Sequence, residues 1–96
     1  FAHHQNKEYD QSIEGFKRLT YAFNDQQDPK ILADYAAIPA YNVACAYALK
    51  GNKDQAIDWL EMSIKLGYKD WEHIRTDSDF DSVRKERRYL RLLADR

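Results

Sequence analysis

Two apolar stripes separated by a glycine constrain the fold of this chain more than any other feature. Each stripe recurs at the three- and four-residue spacing of one helical face. The first consists of Val43, Ala44 and Tyr47, and the second of Ala56, Ile57, Leu60 and Ile64. Ala44 and Ala56 carry only a methyl group, so two helix backbones can approach to roughly 8 to 10 Å where they meet. Residues 41–66 are therefore predicted to form two closely packed helices.

The residues between the two stripes predict a tight turn. Gly51 can adopt the left-handed conformation that ends a helix. Asn52, followed three residues later by Gln55, matches the capping-box pattern that starts a helix. The two helices of residues 41–66 are thus expected to be antiparallel.

Helical periodicity dominates the remaining sequence and predicts an all-α fold. Asp28 followed by Pro29 is typical of a helix start, with the aspartate as cap. Pro39 removes one backbone donor from the helix that follows, so residues 29–50 are predicted to form a kinked helix. Asp70 is predicted to cap a short helix, and a last helix is expected over residues 86–95.

Residues 41–66 resemble a tetratricopeptide repeat, with small residues near the middle of both helices, a tyrosine after the first small residue and a glycine-polar turn. Residues 8–19 are similar to the second helix of a preceding repeat. Its expected packing face contains Tyr9, Ser12, Ile13, Phe16 and Leu19. On this alignment residues 1–6 are what remains of a first helix, so the chain is expected to begin inside a repeat.

The resemblance implies one domain over residues 1–96, built as a short right-handed α-solenoid of stacked antiparallel hairpins. It comprises a partial repeat (1–24), an extended complete repeat (29–67) and closing helices (68–96). Tyr9 and its counterpart Lys53 lie farther apart than the family period of about 34 residues, so extra helical turns are expected. Residues 67–93 resemble the segment that closes many bacterial arrays of this type. Its last helix is expected to cover the core with Tyr89, Leu90, Leu92 and Leu93.

The resemblance also implies a function, since the first helices of such repeats line a concave face that binds extended peptides. By position, the partner-binding residues are Ile38, Tyr41, Cys45, Ala48 and Leu49, with His4 and Gln5 from the partial repeat. The chain is therefore predicted to be a protein-interaction scaffold for a protein or peptide partner. Family members that clamp an acidic terminus use Lys, Arg and Asn where Tyr41 and Cys45 stand, so a carboxylate clamp is not expected.

Three alternatives to this prediction remain open. In the first, the long kinked helix before Tyr41 (residues 29–38) covers the concave face, and its residues are core. In the second, the C-terminal helix seals the solenoid as a structural cap, and the domain only supports a neighbouring catalytic domain of a larger protein. In the third, the basic C-terminal cluster contacts phosphate or a lipid surface. That cluster consists of Arg84, Lys85, Arg87, Arg88 and Arg91, and nearby acidic residues are expected to neutralise much of it. The net charge of −1 gives no overall attraction to nucleic acid or membrane.

No residue pattern predicts catalysis, a cofactor or a metal site. Cys45 has no histidine near it in sequence and is interpreted as a packed helix residue. Neighbouring His3 and His4 point about 100° apart on a helix and rarely share one ion with a third ligand such as His73. The alternating aspartates Asp77, Asp79 and Asp81 lack the glycine and glutamate of a calcium loop, so they are interpreted as caps and turn formers. No apolar run approaches the roughly 20 residues that span a bilayer.

Overall fold

The computed structural model describes the backbone of residues 2–23 and 28–94, and the side chains of residues 9–23 and 28–94. Within these ranges every regular element is helical, which confirms the all-α class. The α-helices are α1 (Ala2–Phe23), α2 (Pro29–Ile31), α3 (Ile38–Lys50), α4 (Lys53–Leu66), α5 (Trp71–Thr76) and α6 (Arg87–Leu93). A π-helical segment (Leu32–Ala37) joins α2 to α3, and a 3-10 segment (Ser78–Val83) precedes α6. Across the described residues, no helix combines the length and apolar character needed to cross a bilayer.

The predicted start at Asp28 is confirmed, because its side chain accepts a hydrogen bond of 2.9 Å from the backbone N–H of Lys30. Helical structure then continues through Pro39 to Lys50. Proline lacks an N–H and its ring crowds the carbonyl four residues earlier, here that of Tyr35. The π segment immediately before Pro39 widens the helix at this point, so the interruption is absorbed within one continuous helical run.

The turn between α3 and α4 forms by backbone geometry alone. Gly51 has a φ of 84°, and its N–H donates to the carbonyl of Ala48 at 3.0 Å. The N–H of Asn52 donates to the carbonyl of Tyr47 at 2.9 Å. Asn52 occupies the cap position of α4, but its side chain makes no capping hydrogen bond. The predicted capping box with Gln55 is therefore wrong, although the predicted turn is correct.

The small residues of the hairpin lie at the centre of the core. Ala44 and Ala56 are fully buried, and α3 packs more extensively against α4 than against any other element. The larger residues of the two stripes that are also buried are Val43, Ile57 and Leu60. Close approach of α3 and α4 thus depends on side chains that occupy little volume.

Helix α1 differs from its prediction in two ways. Its backbone is one helix from Ala2 to Phe23, so residues 2–6 do not belong to a separate first helix. Ser12 and Leu19, two residues of the predicted packing face, are exposed. The face that contacts the core consists of Tyr9, Ile13, Phe16 and Thr20.

Thr20 explains why the buried face of α1 differs from the predicted one. Its hydroxyl donates to the carbonyl of Phe16 at 3.0 Å and lies 3.5 Å from the carbonyl of Ala36 in the π segment. A threonine with a satisfied hydroxyl can be buried at little cost. Leu19, the apolar neighbour, is left in solvent.

The C-terminal elements follow their predicted order. Asp70 caps α5 by accepting from the N–H of His73 at 3.1 Å, as expected. Tyr89 and Leu93 of α6 are buried against the core. Leu90, which was expected to join them, is 57% exposed.

The packing of α3 predicts that enlarging its buried alanines destabilises the fold. Ala44→Leu and Ala48→Leu are each expected to lower the free energy of unfolding by roughly 1 to 3 kcal/mol, because neither site has room for a larger side chain. Ala22→Leu, at an exposed position of α1, is the matched control and should leave the urea midpoint near that of the wild type. Equal midpoints for all three variants would show that the hairpin does not depend on close backbone approach.

Candidate functional site

The five predicted partner-binding residues of α3 fall into two groups. Ile38 and Leu49, near the ends of the helix, are 49% and 47% exposed. Tyr41, Cys45 and Ala48, between them, are buried. A continuous peptide-binding face along α3 is therefore absent from this structure. The prediction for His4 and Gln5 lies outside the residues whose side chains are described.

Residues 77–93, which we call the closing segment, cover the middle of α3. Phe80 is fully buried and meets the ring of Tyr41 edge-on at 5.4 Å between centroids. The hydroxyl of Ser82 donates to the carbonyl of Ala48 at 3.0 Å. The alternative in which residues 29–38 supply the cover is thus wrong, because the cover comes from the other end of the chain.

The carboxylate of Asp77 connects the closing segment to α3. Its Oδ2 atom accepts a hydrogen bond from the Tyr41 hydroxyl at 2.6 Å and a weaker one from the Cys45 thiol at 3.8 Å. Its Oδ1 atom accepts from the backbone N–H of Asp79 at 3.0 Å. The Nε2 atom of His73 lies 3.5 Å from Oδ2. Asp77 therefore forms the predicted turn and also makes a long-range contact that the sequence did not indicate.

This environment keeps the Tyr41 hydroxyl and the Cys45 thiol, which are buried on α3, protonated. Burial raises the pKa of the Tyr41 hydroxyl far above its usual range, and the hydrogen bond to Asp77 raises it further. Burial likewise raises the pKa of the Cys45 thiol, and the Asp77 charge adds to the effect. A reactive cysteine needs the opposite shift, so the surroundings of Cys45 are those of a packed thiol.

Cys45, Asp77 and Asp79 bring three potential metal-ligand atoms within 4.8 Å of one another. Both oxygens of Asp77 already accept hydrogen bonds from within the chain. Metal binding also requires a thiolate, which the raised pKa of Cys45 opposes. These contacts explain the cluster as a connection between α3 and the closing segment.

The basic cluster of the C-terminal region does not form one charged surface. Arg84 turns inward and donates to the backbone at the end of α5. Its acceptors are the carbonyls of Ile74, Arg75 and Asp77, the hydroxyl of Tyr89 and the carboxylate of Asp81. Arg88 pairs with Asp58 of α4 at 2.6 Å. Two of the five basic residues are therefore used in contacts within the chain.

An open groove of about 460 Å³ lies between the first half of α3 and the loop that leads into α5. We call it the Tyr68 groove. Its walls include Ile38, Tyr41, Asn42, Tyr68, Lys69 and His73. The rings of Tyr41 and Tyr68 stack in parallel with centroids 4.3 Å apart. Of the two exposed residues of the predicted site, Ile38 lines this groove and Leu49 does not.

A glycine sets the position of the Tyr68 side of this groove. Gly67 has a φ of 121°, a conformation that L side chains rarely adopt. A β-carbon at this position would lie 3.0 Å from the β-carbon of Ala33 in the π segment. The backbone after α4 therefore passes close to the π segment before Tyr68 turns back onto Tyr41.

The comparisons with known proteins give a partial similarity. No protein-family model matches the chain, and no solved structure matches it. The chain is similar to a chloroplastic protein of Arabidopsis thaliana, with 29% identity over 89 residues. The match covers 93% of this chain and 24% of the relative, so the chain spans about a quarter of that protein's length.

The raised pKa values of Tyr41 and Cys45 predict that stability falls in alkaline solution. Their ordinary values are 10.0 and 9.0, so the unfolded chain releases these protons before the folded chain does. The stabilising contribution is complete below about pH 9 and is lost as the pH rises beyond it. Each group is expected to contribute a slope of up to about 1.4 kcal/mol per pH unit.

Urea unfolding between about pH 9 and about pH 11 measures this slope. Tyr41→Phe removes one titrating group and should make the decline shallower. Tyr35→Phe, at an exposed tyrosine, is the matched control and should retain the wild-type slope. A wild-type slope in Tyr41→Phe would contradict the inferred burial of that hydroxyl.

Proposed function

We propose that this chain is a protein-interaction module that binds an extended peptide segment in the Tyr68 groove. The observation that carries the proposal is the half-exposed side chain of Ile38 beside the stacked rings of Tyr41 and Tyr68. Large apolar and aromatic side chains at the wall of a recess are typical anchoring points in interfaces. The groove volume of about 460 Å³ is suitable for one or two side chains of a partner.

The polar residues of the groove suit a peptide backbone. Asn42 is half-buried in the wall, and an amide side chain can both donate to and accept from a peptide group. Lys69, Asp70 and His73 also line this recess. We infer that one large apolar side chain of the partner enters beside Ile38, while its backbone passes Asn42.

The Asp77 hydrogen bond prepares this groove for binding. It fixes the Tyr41 hydroxyl, and the ring then supports Tyr68 by parallel stacking. A wall that is already ordered loses little conformational entropy when a ligand binds. Binding is therefore expected to require little rearrangement of α3 or of the closing segment.

We further propose that the helices are arranged as in a tetratricopeptide solenoid. The close α3–α4 hairpin with its buried alanines supports this arrangement, as does the packing of α1 against α3. In such an arrangement α3 is the first helix of the complete repeat, and the Tyr68 groove lies at the end of its concave face where Ile38 stays exposed.

The proposed site predicts that Ile38→Ala weakens peptide binding without changing the fold. A phage-displayed random peptide library selected on the immobilised chain supplies the probe, and fluorescence polarisation measures the dissociation constant of the enriched peptide. Loss of the apolar contact is expected to weaken binding about tenfold, since burial of a large aliphatic side chain contributes roughly 1.5 to 3 kcal/mol. Helical circular dichroism should stay at the wild-type level.

Leu49→Ala is the matched control, because Leu49 is similarly exposed on the same helix and does not line the groove. Its affinity should remain within about twofold of wild type. A library that yields no enriched peptide, or peptides that bind Ile38→Ala as tightly as wild type, would contradict the proposal.

A second candidate function is structural support of a neighbouring domain, with the closing segment as a cap. The observation that favours it is the extent of α3 that this segment buries, together with the inward Arg84 that satisfies carbonyls at the end of α5. A domain of this kind would stabilise its neighbour without binding a peptide. Failure of the peptide selection, combined with strong dependence of the fold on the cap, would favour this function.

Removal of residues 86–96 tests the role of the cap. The truncated chain loses the buried side chains of Tyr89 and Leu93, each of which contributes roughly 1.5 to 3 kcal/mol. Since a domain of this size has a total stability of about 5 to 15 kcal/mol, we expect a broad, strongly lowered melting transition. A sharp transition at the wild-type temperature would show that α6 does not support the core.

A further inference from the structure

A second recess lies on the closing segment, between the end of α5 and α6. It has a volume of about 490 Å³, and we call it the Leu90 pocket. The described residues that line it are Arg75, Arg84, Lys85, Tyr89, Leu90 and Leu93. None of these also lines the Tyr68 groove. We propose that this pocket binds an acidic peptide segment that carries one large apolar side chain.

The apolar part of the pocket is formed by α6. Tyr89 and Leu93 are buried and form its base, whereas Leu90 is 57% exposed at its wall. The other large apolar residues of α6 are Tyr89, Leu92 and Leu93, and they pack wholly or partly against the core. Leu90 thus presents an aliphatic side chain to solvent at the edge of a recess, where a partner's apolar side chain can cover it.

The charged residues described in the lining of the pocket share one sign. Of the six described residues that line it, three are Arg or Lys and none is acidic. The guanidinium of Arg84 is held in place by its backbone acceptors and by Tyr89, so it supplies a fixed positive charge. Arg75 and Lys85 are exposed on either side. Carboxylates that flank an apolar side chain complement this distribution.

An ion pair offsets part of this charge. Asp81 pairs with the Nε atom of Arg84 at 3.3 Å, so the positive charge offered to a partner comes mainly from the exposed Lys85 at the wall. The net charge of the chain is −1, so attraction of an acidic peptide depends on this local arrangement. Binding is therefore expected to weaken as salt concentration rises.

The shape of the site favours a peptide over a membrane surface. Helices that lie in a membrane interface expose a continuous apolar stripe flanked by basic residues. Helix α6 has seven residues, and Leu90 is its one strongly exposed large apolar residue. A recess with a single apolar wall suits one inserted side chain, so we assign the site to an acidic peptide.

Three labelled peptides test the proposal by fluorescence polarisation with the full chain. The first has a central phenylalanine between two pairs of glutamates, with an acetylated and an amidated end. In the second, glutamine replaces every glutamate, and in the third, alanine replaces phenylalanine. The first peptide should bind at least about fivefold more tightly than either control at low salt, of the order of 50 mM.

Two variants locate the binding in the pocket. Leu90→Ser is expected to weaken binding of the first peptide about tenfold. Lys85→Glu should weaken it by about three- to tenfold. Both positions are exposed, so the melting temperature should remain near wild type.

Matched controls are Arg91→Glu, the same charge change on α6 outside the pocket, and Met62→Ser, an exposed apolar residue on α4. Both should bind within about twofold of wild type.

Several results would overturn the proposal. Weakening by Arg91→Glu as large as that by Lys85→Glu would indicate attraction to overall charge rather than to the pocket. Equal binding of all three peptides, or no binding, would exclude the stated ligand. Failure to bind the first peptide, together with Lys85-dependent sedimentation on phosphatidylcholine vesicles containing phosphatidylglycerol, would assign the site to membranes instead. Ile38→Ala should not change the affinity for this peptide, so the two proposals succeed or fail separately.

Discussion

The hydrogen bond between Tyr41 and Asp77 holds together parts of the chain that are 36 residues apart. It joins the middle of α3 to the start of the closing segment, and it is one of several contacts at the same carboxylate. A hydrogen bond to an ionised acceptor contributes about 1.5 to 3 kcal/mol when its surroundings exclude water. Loss of the Tyr41 hydroxyl would leave the largely buried Asp77 carboxylate with one fewer hydrogen-bond donor. This contact therefore favours the arrangement in which the closing segment packs on α3 over alternatives, as well as stabilising it.

The surfaces available for binding follow from this closed arrangement. The closing segment contacts Cys45 through Asp77 and Ala48 through Ser82, and it leaves Ile38 open at one end of α3. Its own helix α6 faces solvent at Leu90. With this segment docked onto α3, one extended surface is replaced by two smaller recesses of different chemistry, the Tyr68 groove beside it and the Leu90 pocket on the segment itself. The first is aromatic with an amide at its wall, and the second is aliphatic with positive charge.

Features encoded by neighbouring residues were predictable from the sequence. Asp28, Gly51 and Asp70 act on backbone groups within four residues, so their roles follow from residue type and order. The α3–α4 hairpin was predictable for a similar reason, because its stripes are regular. The buried face of helix α1 was less predictable, because Leu19 and Thr20 are adjacent and either can continue a stripe that began at Tyr9. Only the three-dimensional position of the Ala36 carbonyl favours Thr20.

The candidate site was predicted less well than the fold. Sequence patterns identified the helical face of α3, but nothing in their period shows which distant segment covers it. Aspartates at 77, 79 and 81 have a sufficient local explanation as turn formers, so the sequence gives no reason to connect the first of them with Tyr41. Leu90 was expected to be buried because the last repeat of a solenoid otherwise exposes its apolar face to water, whereas Tyr89 and Leu93 take the buried positions of α6.

Burial of the chain's one thiol beneath the closing segment has a consequence for measuring motion. Cys45 is the sole cysteine; it is 8% exposed, and its thiol lies 3.8 Å from the Asp77 carboxylate. A reagent that modifies this sulfur needs the segment to move away from α3, and such a partial opening does not require the α3–α4 hairpin to unfold. The rate of thiol labelling in the native chain, extrapolated to high reagent concentration, is then the opening frequency of the closing segment. Labelling of Cys45 would thus report how often the closing segment detaches from α3.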